Sequence, residues 1–138
     1  MSAELGVDEI AIAIESEQDI VTARQRGREL AASTGFRGTD QTLIATAISE
    51  VARNIIVYAQ RGEILLAPLA DGARQGILVV ARDRGPGIRD PALAMQDGYS
   101  THRSLGLGLP GAKRLMDEFD LATAVGQGTT ITMKKWVR

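Results

Sequence analysis

Residues 106 to 115 read GLGLPGAKRL and set Gly106, Gly108 and Gly111 at the spacing of a dinucleotide-binding fingerprint. That fingerprint requires a strand directly before the glycines and an acidic residue roughly 20 positions on. Here the preceding residues are GYSTHRSL, a poor strand, and the later stretch is TTITMKK, without an acid. The setting therefore argues against a doubly wound dinucleotide fold. A phosphate loop of the form GxxxxGK followed by Ser or Thr occurs nowhere. What remains is local physics: glycines before a helix let backbone N–H groups approach an anion, and the helix N-terminus favours negative charge. Alone, the stretch is a turn and a helix start. Its meaning depends on the rest of the chain.

Working outward, Ile10, Ile12 and Ile14 alternate within residues 8–16, a strand pattern. Residues 17–34 are rich in helix formers, with Ile20, Ala23, Gly27, Leu30 and Ala31 at helical spacing and Gly35 as a stop. A second helix is expected from a cap at Thr39 or Asp40 to about Ala59, with Ile44, Ile48, Val51 and Ile55 as its apolar stripe. GEILLAPLA and GILVVARD read as strands joined by the turn-rich DGARQG. Residues 84–105 form a long loop with at most a short helix near PALAMQD. A helix from Leu109 or Pro110 to Glu118 follows, then a hairpin of LATAV and TTITMKKWV around Gly126-Gln127-Gly128. The order β-α-α-β-β-loop-α-β-β predicts an α+β fold, one sheet with helices on one face.

The 138 residues suit a single domain spanning 1–138. A net charge of -1 gives no field to draw in nucleic acid or acidic membranes. The basic run Lys134 to Arg138 reads as the solvated end of the last strand. There is no cysteine, so disulfides, thiolate metal sites and cysteine nucleophiles are excluded, and His102 is the only histidine. No apolar run of membrane length and no signal peptide is read, which points to the cytoplasm.

Three further elements give the glycine segment a context. Asp83, at a strand end, can accept from an adenine amino group where guanine offers a carbonyl, with Gly85 and Gly87 letting a flat base approach the backbone. Glu50 and Asn54 share a helix face beside the apolar stripe, a pair that can hold Mg²⁺ and orient a proton acceptor. Gly128-Thr129-Thr130 lies in the last hairpin. Taken singly, these read as a tight turn, a solvated polar face and a hairpin turn.

Together, in this order and spacing, they resemble the ATP-binding domain of the family named for gyrase, histidine kinases and MutL: ExxxN on a helix, DxGxG after a strand, a glycine segment and a GT hairpin. The resemblance implies a two-layer α/β sandwich of Bergerat type, a mixed sheet with helices on one face and a mobile ATP lid at roughly 88–105. Within that family, DIVTARQRGRELA, TAISEVARNI, ARDRGPGI, MQDGYSTHRSLGLGLPGAKRLMDEF and MKKW resemble the RsbT-type switch kinases, serine/threonine kinases of bacterial stress signalling. This implies ATP and Mg²⁺ as cofactors and STAS-domain stressosome proteins of the RsbS and RsbR types as substrates. It also implies an RsbU-type phosphatase, activated by binding the released kinase. Carried over by position, Glu50 is the general base, Asn54 holds Mg²⁺, and Asp83 reads the adenine with Gly85 and Gly87 at the base. Gly106, Leu107, Gly108, Leu109 and Gly111 form the phosphate segment, and Thr129 or Thr130 helps the base pocket. Ser100, Thr101, His102 and Arg103 fall in the lid without an assigned role. The competing readings are an anti-sigma factor kinase of the RsbW or SpoIIAB type and a module that binds ATP only as a ligand. No dimerisation segment with a phosphoacceptor histidine and no transducer domain is read.

Overall fold

The computed structural model describes residues 9–96 and 108–138. The described elements are β1 (Ile10–Ile14), α1 (Glu17–Thr34), α2 (Gly38–Ala59), β2 (Gly62–Asp71), β3 (Arg74–Asp83), α3 (Pro91–Ala94), α4 (Gly108–Leu115), β4 (Glu118–Ala124) and β5 (Gly128–Trp136). They form one five-stranded sheet in the order β1-β2-β3-β5-β4, with the longer helices on one face.

The expected two-layer α+β sandwich is present, but the sheet is antiparallel at every pairing rather than mixed. Connectivity explains this. The α1–α2 helix pair returns the chain to the end of the sheet it left, so β2 runs against β1. The strands that would run parallel are β3 and β4, and the β4–β5 hairpin sets β5 between them.

The core lies between the helices and the inward face of the sheet. Ile44, Ile48, Val51 and Ile55 of α2 are buried on Ile64, Leu66, Ile77, Val79, Ile131 and Met133. Each such side chain contributes about 1.5–3 kcal/mol on full burial. Residues 38–59 are long and apolar enough to cross a membrane by length and composition alone, although no run of membrane length was expected. Half of that window is buried inside the fold, as in the core helix of a packed domain.

Boundaries differ from expectation where tertiary contacts act. α1 is an exception and spans the expected residues, its start held by the Asp19 side chain, which accepts from the backbone N–H groups of Glu15 and Ser16. α2 begins at Gly38 with Arg37 before it, not at a Thr39 or Asp40 cap, because Phe36 is anchored in the core and its carbonyl accepts from Gln41 Nε2. The β2–β3 turn is shorter than DGARQG, since Asp71 and Arg74 already pair across it. α4 ends at Leu115 rather than Glu118, because Asp117 N–H donates to the Lys134 carbonyl and Glu118 joins the sheet opposite Lys134. The basic end of the chain is not merely solvated. Lys135 is buried and its Nζ donates to the Leu115 carbonyl, and Arg138 grips Asp117 with two nitrogens at 3.1 Å.

Candidate nucleotide and phosphoryl-transfer site

One end of the sheet collects the polar residues singled out from the sequence. Asp83 ends β3 and continues the inward face of Ile77, Val79 and Ala81. Across the sheet it is aligned with Thr129 of β5, which is aligned in turn with Thr123 of β4. This row, Asp83–Thr129–Thr123, is polar. The row beneath it, Ala81–Ile131–Leu121, is an apolar floor. Gly62 of β2 lies beside Asp83, where a Cβ would meet the Arg82 carbonyl oxygen and Ile55.

Asp83 is half-buried, and its Oδ1 accepts from the Gly85 N–H at 2.9 Å. Oδ2 is left to accept from elsewhere. The loop after it is clasped by the β4–β5 hairpin: Gly126 N–H donates to the Pro86 carbonyl at 2.8 Å, and Ile88 N–H donates to Thr123 Oγ1 at 2.9 Å. Gly87 has φ 79, and a Cβ there would run into the Ala124 carbonyl oxygen. Gly128 has φ 100 and approaches the Asp83 carbonyl oxygen as closely. Both positions need glycine for backbone conformation and for space.

Glu50 and Asn54 sit one turn apart on α2. Glu50 is 6% exposed, so it is no solvated surface carboxylate. Its Oε1 accepts from the Gly108 N–H at 3.0 Å. The contact joins the second helix to the first N–H of α4, whose positive end suits a carboxylate. Asn54 is half-buried, as its place beside the apolar stripe predicts. Leu109 and Gly111 are buried within α4, Leu109 as part of the core. Pro110, in the same first turn, has no N–H to offer.

Thr130 lies on the opposite face of the sheet from Thr129, so the two hydroxyls cannot share a role. It faces a groove of about 520 Å³ lined by Glu15, Arg61, Glu63, Arg82 and Arg84 among others. Gly106, Leu107, Ser100, Thr101, His102 and Arg103 lie outside the described residues, as does the second half of the expected lid. Thr123 was not singled out from the sequence. The alternation of Phe119, Leu121 and Thr123 in β4 already sets it on the inward face.

Among the described residues no group of three His, Cys, Asp or Glu side chains could hold a metal. That suits Mg²⁺, which takes one or two protein oxygens and fills its octahedron with water and phosphate. A single Asn54 carboxamide beside a buried carboxylate meets that requirement. The open Asp83 oxygen likewise suits the amino edge of a flat base.

Residues 14 to 135 match the histidine kinase-like ATPase domain family. The chain is 50% identical over 131 residues to the serine/threonine-protein kinase RsbT of Bacillus subtilis, covering 95% of this chain and 98% of that protein. It is 31% identical over 98 residues to an anti-sigma F factor of Caldanaerobacter subterraneus, covering 68% of each. Its fold matches the crystal structure of the RsbU and RsbW domains of a Mycobacterium tuberculosis protein with a TM-score of 0.60 and 24% identity, over 92% of this chain and 32% of that one.

Proposed function

We propose a specific reaction for a chain that belongs to the histidine kinase-like ATPase family and, within it, to the RsbT-type protein serine/threonine kinases of the anti-sigma switch: transfer of the ATP γ-phosphoryl group to a serine or threonine of a STAS-domain stressosome protein of the RsbS or RsbR type. The carrying observation is the buried Glu50 carboxylate seated on the Gly108 N–H. It puts a proton acceptor at the start of the segment that would hold the phosphates.

In this reading Asp83 accepts from the adenine amino group through Oδ2. Gly85, Gly87 and Gly128 let the loop after Asp83 pack closely on Ala59 and on the β4–β5 hairpin, and Thr129 completes the pocket. The N–H groups of Gly108, Leu109 and Gly111, with the segment from Gly106 through Leu107, face the phosphates. Asn54 holds Mg²⁺, which supplies charge neutralisation on the phosphate oxygens when bound. Phosphoryl transfer asks mainly for such positioning and charge. Glu50 takes the proton of the acceptor hydroxyl, a contribution of about 10²–10⁴-fold.

Phosphorylation releases the kinase from the scaffold, and the freed protein binds and activates an RsbU-type phosphatase in the cytoplasm. A second reading is an anti-sigma kinase that sequesters a sigma factor, supported by the 31% identity to an anti-sigma F factor. The RsbT match is higher in identity and spans 95% of the chain, and it favours the first. Pull-down with purified RsbU-type phosphatase and with a sigma factor separates them. Phosphatase retained and stimulated supports the switch reading, whereas sigma factor retained instead supports the other.

A further inference from the structure

Thr123 belongs to none of the four sequence elements, yet its hydroxyl is the hub of the polar end of the sheet. Oγ1 lies 2.9 Å from the Ile88 nitrogen, 2.9 Å from Thr129 Oγ1 and 3.2 Å from the Gly128 carbonyl oxygen. A hydroxyl has one proton and two lone pairs. The Ile88 N–H can only donate, and the Gly128 carbonyl can only accept. One assignment satisfies all three contacts: Thr123 donates to Gly128, accepts from Ile88, and accepts from Thr129. The single proton of Thr129 is thereby committed to Thr123. Thr129 is 5% exposed, so water outside the site does not compete for it.

We propose that Thr123 is a positioning residue that sets the hydrogen-bond polarity of Thr129, and through it the preference for a purine with an amino group rather than a carbonyl at C6. The proposal rests on the nucleotide reading above. Thr129 then presents only lone pairs, beside the Asp83 carboxylate aligned with it across β3 and β5. Two neighbouring acceptors favour a donor edge, met directly or through a water, and disfavour a carbonyl edge. Thr123 also holds Ile88, and so fixes Gly87 against Ala124.

The test is titration of ATP and of ITP, which carries a carbonyl where ATP carries the amino group, onto wild type, Thr123→Ser and Thr123→Val, with thermal melts of each. Thr123→Val should weaken ATP about tenfold and shrink the ATP-to-ITP preference by a similar factor, since one lost network bond and an orphaned donor act at the base. Thr123→Ser should restore both. Thr123→Ala replaces the valine variant if that one fails to fold. An equal loss for ATP and ITP, or no loss, overturns the proposal. So does a wild type that binds both nucleotides alike, which leaves nucleotide binding standing but removes the Asp83 contact to the amino group. A wild type that binds neither overturns both.

Discussion

Glu50 stands at two functions at once. It is the candidate base, and its Oε1 occupies the N–H of Gly108 that a phosphate would use. Nucleotide arrival therefore competes with the carboxylate for that donor and frees it to face the acceptor. Glu50→Gln should cut transfer by about 10²–10⁴-fold while keeping or tightening ATP binding, because a neutral amide holds the N–H less strongly than a carboxylate. Single-turnover transfer and calorimetric titration check the two halves. Asn54→Ala should lose Mg²⁺-dependent transfer, read as a flat Mg²⁺ titration of the rate. Gly87→Ala should lower the melting temperature and weaken ATP binding together, read by thermal melts and titration, since the added methyl meets the Ala124 carbonyl oxygen at a positive φ and displaces the loop after Asp83.

The elements were legible wherever the local pattern and the tertiary contacts agree. The Ile10–Ile12–Ile14 alternation, the α2 stripe and Gly35 mark β1, α2 and the end of α1 where they stand. The end of α4 was not legible, because its stop comes from β5. Lys135 reaches back to the Leu115 carbonyl, a contact between residues 20 apart in sequence. A long-range cap of this kind leaves no local signal. Lys135→Met should keep the packing of the stem and lose the cap, costing about 1–2 kcal/mol in denaturant unfolding. It should also weaken nucleotide binding, since α4 carries the Gly108 N–H. Of the residues the sequence singles out, the fold sets Asp83 beside Thr129 and buries Glu50 against Gly108. The choice between Thr129 and Thr130 needed strand register, as a one-residue step changes the face.

At the scale of the whole molecule, the last strand locks the helix layer to the sheet through Asp117. Burial pushes its carboxyl up, but the Arg138 guanidinium, the Trp136 N–H and the charge of Lys135 outweigh this and hold it below its ordinary 3.8. A group with a depressed folded-state pKa stabilises the fold above its ordinary value and loses that contribution as pH falls through the folded one. The melting-temperature deficit of Asp117→Asn relative to wild type should therefore be full above about pH 5 and shrink as the pH drops below 3.8. A deficit independent of pH would mean that the Asp117 charge has no part in the lock.

The most direct test of the central claim is transfer of label from γ-labelled ATP, with Mg²⁺, to a purified STAS-domain protein, with Glu50→Gln run in parallel and ATP binding measured for both. Label on a serine or threonine with the wild type, and little or none with the variant although ATP still binds, is the predicted result. Equal labelling by both proteins, or no label from a wild type that binds ATP, would contradict it.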